Sequence, residues 1–331
     1  MRSAQVTVRI DCARIRANAR AIRRRTGVEL IAVVKADAYG LGAAAVAGAL
    51  RGVAGRLAVF SLAEAQAAGL WRRSGLPILT FGPPDGTPAA YRRAHVRPAV
   101  STVAEARRLR SARPIVCLDT GMQRFACPAS ALAAVLAAGA SDEVFTHAAT
   151  PAQARALAGA TRGLGVRRHA AASSLLATPA AWLDAVRPGL ALYHDAVRVS
   201  VPLAEVRRGR GPIGYGGFGA ARHGVVLAGY AQGLRAGWCL VGGERRRIRE
   251  VGMQSAYIEL GQGGRPGDEV VLLGDGLTLA ELAHAWSARP HEVLIALCGA
   301  GERIYHHGRA PAAPDWPPAG AGRARPGKER P

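Results

Sequence analysis

Between Glu29 and Tyr193 the chain repeats one unit: a short apolar run, a few polar or small residues, then a stretch with helical spacing. The runs are LIAVV (30–34), LAVF (57–60), PILTF (77–81), VRPAV (96–100), PIVCL (114–118), EVFTH (143–147), VRRHA (166–170) and VRPGLALY (186–193). Strands that are apolar throughout, rather than at alternate residues, are covered on both faces, which is the condition of a parallel sheet flanked by helices. Helix starts are legible too. Ser61-x-x-Glu64 and Thr102-x-x-Glu105 are capping boxes directly after the second and fourth runs. A helix starting near Asp11 carries Ile15, Ala19 and Ile22 at helical spacing. Eight such units predict an α/β fold, a (β/α)8 TIM-like barrel; a doubly wound sheet is the alternative, because the seventh run is weakly apolar.

From about Val206 the rhythm stops. HGVVLAGY, RRRIREVGM, AYIELG and DEVVLLGDG read as strands between Gly-rich turns, with one helix opened by Thr278-x-x-Glu281. The expected plan is an amino-terminal strand (1–10) that joins a mainly β C-terminal domain (206–308), with the barrel at 11–205 between them. Residues 309–331, rich in Pro, Gly, Ala and Arg, offer almost nothing to bury and are predicted to be a disordered basic tail.

The net charge of +21 raises the question of nucleic acid, but the arginines are scattered and aromatics make up only 5%, too few for a stacking platform. Nucleic-acid binding is therefore not expected. Cys12, Cys117, Cys127, Cys239 and Cys298 are odd in number, with no C-x-x-C pair and no zinc spacing. They read as reduced thiols of a cytoplasmic protein, and no metal is expected. The amino terminus shows no apolar signal core, and no stretch approaches the roughly 20 apolar residues a membrane span needs.

Among the 44 lysines and arginines, only Lys35 and Lys328 are lysine. Arginine carries charge equally well but does not give up a proton near neutral pH, so a lysine kept in such a chain is a candidate for Schiff-base or acid–base chemistry. Barrel enzymes gather their chemistry where strands end at the carboxyl face. The residues placed there are Lys35, then Asp119, Thr120, Met122 and Arg124, then His147, Ser173, Ser174 and Arg187. Lys35 thus falls at a catalytic position by a second, independent argument. The arginine runs at 23–25 and 245–247 read as solvated faces.

AVVKADAYGLG (32–42) closely resembles the cofactor-lysine segment of the alanine racemases, fold-type III enzymes that use pyridoxal 5'-phosphate (PLP). The likeness continues through LDTGMQR (118–124), THAAT (146–150), HAAASS (169–174), VRPGLALY (186–193) and GYAQG (229–233). It covers the chain to about Tyr305, in order, and implies an amino-terminal barrel followed by a β domain. It further implies that Lys35 carries the cofactor and acts as one base. Tyr39 and Ser173, with backbone near Gly189, would hold the phosphate, and Arg187 would face the pyridine nitrogen. Tyr230 would be the opposite base, entering from the partner of a homodimer with shared active sites, and His147 would lie close to it beside the cofactor. Arg124 would contact the cofactor's phenolic oxygen or the substrate carboxylate, and the amide of Met253 would bind that carboxylate.

The chain also departs from the family pattern. Ala172 replaces an asparagine, Gln232 the aspartate of GYADG, and Gln254 an aspartate; Cys117 stands where many members carry a lysine, often carbamylated, whose carbamate orients the arginine corresponding to Arg124. R-V-P-R-x-Y has become A-G-E-R-I-Y (300–305), keeping Arg303 and Tyr305. The resemblance therefore implies an isomerase that interconverts L- and D-alanine, or a related small amino acid such as serine, by two-base α-proton exchange. The alternative is an impaired or repurposed paralogue that binds PLP without racemising alanine, because loss of supporting residues lowers activity without abolishing chemistry.

Overall fold

The computed structural model describes residues 6–308; the proposed tail at 309–331 lies outside the described residues. The chain forms two compact units. Of the described residues, one holds Arg16–Val33 and Leu50–Leu192; the other holds 6–15, Val34–Ala49 and 193–308. Strand β1 (Thr7–Asp11) belongs to the second unit.

The first unit contains β2 (Glu29–Val33), β3 (Arg56–Val59), β4 (Ile78–Thr80), β5 (Val96–Arg97), β6 (Ala99–Val100), β7 (Ile115–Cys117), β8 (Glu143–Ala148), β9 (Arg167–Ala171) and β10 (Ala185–Val186). All pair in parallel, in the order β5-β4-β3-β2-β10-β9-β8-β7-β6. β5 and β6 are two halves of one run broken at Pro98, which has no N–H to give to a ladder. β5 pairs with β4 and β6 with β7. The ring is therefore closed except for that step, with eight strand positions. This is the barrel the sequence predicts, and the doubly wound alternative is excluded.

The eighth run differs from expectation. Only Ala185–Val186 is strand, and Leu190–Tyr193 coils into a 3-10 turn. Pro188 and Gly189 end the ladder, one lacking a donor and the other a side chain to pack. The caps behave mostly as read. Thr102 and Glu105 form a full capping box. Ser61 accepts the Glu64 amide at 3.1 Å, but the Glu64 carboxylate reaches back to the Phe60 amide at 2.8 Å. Thr150 with Gln153 is a further capping box, which the sequence reading passed over.

At the amino ends of the strands lies a buried ionic network. Glu143, at the start of β8, is fully buried and pairs with Arg56 at 2.7 Å and Arg97 at 2.8 Å. Arg56 also pairs with Glu29 of β2 at 2.8 Å. His169 of β9 stacks on Phe145 with ring centroids 5.3 Å apart, and its Nε2 lies 3.1 Å from Glu143. Burial alone would raise the Glu143 carboxyl; the contact with His169 and the charges of Arg56 and Arg97 outweigh it and hold the group at about 2. Burial drives His169 down to about 4, against the pull of Glu143.

The second unit is an antiparallel sheet of β11 (Val197–Arg208), β12 (Arg222–Val226), β13 (Gly237–Val241), β14 (Glu244–Val251), β15 (Ala256–Glu259) and β16 (Glu269–Leu273), joined by β1 and β17 (Glu302–His306). The order is β12-β15-β14-β13-β16-β11-β1-β17, and β11 also pairs with β12, closing six strands into a ring. β11 serves three neighbours because it is 12 residues long and bulged at Leu203/Glu205. The change of character read near Val206 falls inside β11. β13 and β17 escape the sequence reading, and two helices, Leu279–Ala285 and Pro290–Gly299, stand where one was read. Among the described residues no helix is long and apolar enough to cross a membrane.

Two predictions follow from the network. Glu143→Leu strands one arm each of Arg97 and Arg56, whose other arms keep Asp142 and Glu29; urea unfolding should show a loss of about 3–5 kcal/mol, the cost of breaking a buried pair. Both Glu143 and His169 have folded values below their unfolded ones, so each contributes stability at higher pH and loses it as pH falls. Thermal melting should decline first between about 6.5 and 4 as unfolded chains gain the His169 proton, then between about 4.5 and 2 through Glu143. His169→Gln should remove the upper part of that decline and leave the lower part.

Candidate active site

Arg187 follows β10 at the carboxyl end of the barrel strands and is buried. Its Nη2 donates to the carbonyls of Thr146 and, at 2.8 Å, Ala170. The guanidinium carbon lies 5.0 Å from the centroid of Phe81 and 5.4 Å from that of Phe145. No carboxylate among the described residues pairs with it, and its Nε has no hydrogen-bond partner. Burial lowers the guanidinium to about 10, so it remains charged at neutral pH. A buried cation without an anion is costly, and such groups concentrate at functional sites. Phe81 and Thr146 were not singled out from the sequence; an aromatic residue at the carboxyl end of a barrel strand was the available signal for Phe81.

Around Arg187 the neighbouring strand ends supply further predicted residues. The Ser173 hydroxyl accepts the amides of Gly189 and Ala191, each at 3.1 Å, which leaves its proton to donate elsewhere. Ser173 opens a 3-10 turn after β9, with Ala172 in extended conformation ahead of it. His147 lies in β8, half-buried. After β7, Asp119 accepts the amides of Gly121 at 2.8 Å and Gln123 at 3.1 Å, which hold its carboxyl below the usual range. Asp119 thus shapes its own loop. Thr120 joins that loop to Thr146 through a 2.7 Å hydroxyl contact. Arg124, in the same loop, is exposed. Cys117 is a buried thiol pushed up to about 12 by burial, hence neutral.

Lys35 and Tyr39 share one turn in the second unit, which leaves the chain two residues after β2. The turn is left-handed: φ is 53° at Ala36, 54° at Asp37, 55° at Ala38 and 61° at Tyr39. That conformation costs roughly 1–2 kcal/mol per residue that carries a Cβ, and strain of this kind collects at functional sites. Backbone bonds from Ala38 to Val34, Gly40 to Ala36 and Gly42 to Asp37, at 2.8–2.9 Å, close the turn. Glycine is required at 42, where φ is +88° and a Cβ would lie 2.0 Å from the Tyr305 hydroxyl. The Tyr39 ring packs 5.3 Å from that of Tyr193, and burial lifts its phenol to about 12, so it is a hydroxyl donor at neutral pH.

Tyr230 and Met253 are brought together in the same unit. The Tyr230 and Ala231 amides donate to the carbonyls of Gly252 at 2.9 Å and Met253 at 3.0 Å. The approach is close enough to demand the flanking glycines: a Cβ at Gly229 would sit 2.2 Å from the Gly252 oxygen, and one at Gly233 would sit 2.1 Å from the Ala296 oxygen. Gln232 accepts the Gly229 amide at 3.0 Å, so the amide that caps this turn is satisfied by glutamine. The Tyr230 and Met253 side chains are 59% and 62% exposed.

Residues 10–197 match the alanine racemase N-terminal domain and residues 200–305 the alanine racemase C-terminal domain. The alanine racemase of Thioalkalivibrio sulfidiphilus is 30% identical over 354 aligned positions, covering 89% of this chain and 96% of that protein. The alanine racemase of Cereibacter sphaeroides is 33% identical over 70% of this chain and 76% of its own length. Among solved structures, Streptomyces coelicolor alanine racemase superposes with a TM-score of 0.83 at 27% identity, covering 92% of this chain and 98% of that one. A Bartonella henselae alanine racemase with covalently bound pyridoxal phosphate has the same fold (TM-score 0.81, 22% identity, 91% and 99% covered). The chain is an isomerase of the racemase type and belongs to the alanine racemase family.

Proposed function

We propose that the protein is a PLP-dependent amino-acid racemase acting on alanine or a similarly small amino acid. The observation that carries this reading is Arg187: a buried guanidinium, flanked by two phenyl rings, without a carboxylate and with Nε unpartnered. An acceptor that is neutral and planar, such as a pyridine nitrogen, suits it, and the donors of Ser173 and Tyr39 suit a phosphate. Bound PLP supplies an electron sink that makes the α-proton of an amino acid labile.

In this reading Lys35 holds the cofactor and its Nζ takes or returns the α-proton on one face. Tyr230 does so on the other, since inversion needs a base and an acid on opposite sides. Arg187 keeps its own proton and leaves the ring nitrogen unprotonated, which favours proton exchange over transamination. Ser173, Tyr39 and backbone near Gly189 bind the phosphate, with His147 beside them. Arg124 and the Met253 amide hold the substrate carboxylate. Tyr230 comes from a second copy in a two-fold homodimer; the exposure of Tyr230, Met253 and Tyr215 (59%, 62% and 94%) supports such a surface. We assign the protein to the cytoplasm, in keeping with five buried free cysteines. The domain plan of barrel, β domain with an added amino-terminal strand, and basic tail is retained.

A second reading, a PLP-binding paralogue with slowed racemisation, is favoured by Cys117, whose neutral thiol offers no negative charge to orient Arg124.

The purified protein should show a visible absorbance band on adding PLP, and deuterium should enter L-alanine in D₂O. Lys35→Ala should lose the band and slow exchange by about 10³-fold or more. A band that survives Lys35→Ala refutes the cofactor assignment; a band with no exchange on any small amino acid favours the paralogue. Tyr230→Phe should slow exchange from one enantiomer by about 10²-fold or more, and from the other far less. Equal slowing would argue against two bases.

A further inference from the structure

The left-handed turn at Lys35 does not hold itself. Ala36, Asp37, Ala38 and Tyr39 all carry a Cβ and would relax to right-handed or extended backbone without an outside constraint. The constraint converges from a distant part of the chain. Asp37 spends both carboxylate oxygens on it: Oδ1 accepts the Ala43 amide at 2.7 Å, and Oδ2 meets the Arg303 guanidinium at 2.6 Å. The Tyr305 hydroxyl donates to the Leu41 carbonyl at 3.0 Å and occupies the space beside Gly42. Arg303 and Tyr305 are two residues apart in β17 and so point to one face. β17 is anchored in turn by β1, with Arg303 opposite Val8 and Tyr305 opposite Ile10.

We propose that Asp37, Arg303 and Tyr305 are positioning residues that keep the 36–39 turn left-handed, so that Lys35 and Tyr39 leave one helical turn in a fixed relation. This rests on the reading of Lys35 and Tyr39 as the cofactor lysine and phosphate donor. Relaxing the turn changes the spacing between those two side chains without touching either. It also accounts for the survival of Arg303 and Tyr305 in a carboxyl-terminal segment that has otherwise lost its family pattern.

The test uses the full chain. In the absence of PLP, amide hydrogen exchange of the segment 36–43 should accelerate about ten-fold or more in Arg303→Met, the scale of a lost hydrogen bond to a charged group, while β11 and β16 stay unchanged. Arg303→Lys and Asp37→Asn, which keep a charge or the Ala43 acceptor, should give intermediate values. In PLP titrations followed by borohydride trapping at Lys35, half-saturation should shift about ten-fold in Arg303→Met. Adding Ala36→Gly, which removes the Cβ penalty at an exposed position, should recover about three-fold of that loss. A clamp that only ties strands together would not be rescued by glycine. Exchange of 36–43 within two-fold of the unmutated chain, or no rescue by glycine, overturns the proposal. If the unmutated chain fails to take up PLP, the cofactor reading falls and the exchange measurement alone decides whether the clamp exists.

Discussion

Glu143 ties the barrel together at its amino end. A carboxylate with no access to water must be paired, and here Arg56 of β3, Arg97 of β5 and His169 of β9 all converge on it from other strands. Through Arg56 the network extends to Glu29 of β2, and through Glu29 back to Arg167 of β9. Strands on both sides of the weak step at Pro98 are therefore joined by charge where the ladder is thin. The arrangement is specific rather than cheap: a buried ion pair gains little over apolar packing, but removing one member leaves the others stranded. That asymmetry makes the network a constraint on register and closure.

The opposite end of the same strands has the contrary character. Arg56 and Arg187 are both buried arginines, yet among the described residues Arg56 has two carboxylates and Arg187 has none. Arg187 is steadied by carbonyls and aromatic faces instead, an environment that positions a cation without neutralising it. This division, stability at the amino ends and chemistry at the carboxyl ends, is what a barrel permits because the two faces share a core but no surface.

The departures from the family pattern have unequal consequences. Gln232 still accepts the Gly229 amide, so that turn keeps its cap. Cys117 is a larger change, because a buried neutral thiol replaces a position where many members carry negative charge. Ala172 takes the extended conformation ahead of the Ser173 turn, which still binds the Gly189 amide. Gln254 stands exposed beside Met253, and nothing in the structure explains that substitution. The covalent and proton-moving side chains of the proposed mechanism are all present; what has altered is their support.

The barrel was legible because parallel strands covered on both faces must be apolar throughout, and that pattern survives in LIAVV or PIVCL whatever the rest of the chain does. Capping boxes were legible because they are local, as at Thr102 and Thr278. Where the sequence misled, non-local pairing decided the outcome. VRPGLALY reads as one apolar strand, but only its first residue, Val186, lies in a strand, which ends before Pro188 and Gly189. β13 and β17 are strands by virtue of their neighbours, β14 and β16 for one and β1 for the other. Lys35 stood out by itself, through its rarity and its place after the first barrel strand. Nothing local in KADAYG announced a left-handed turn, since four residues with Cβ atoms favour the right hand. Only the tertiary structure, by bringing Arg303 and Tyr305 to Asp37 and Leu41 across more than two hundred and sixty residues, supplies the contacts that outweigh that preference. The sequence by itself determined which side chains are chemically able to act; the fold decided the backbone that presents them, because that depends on forces from the far end of the chain.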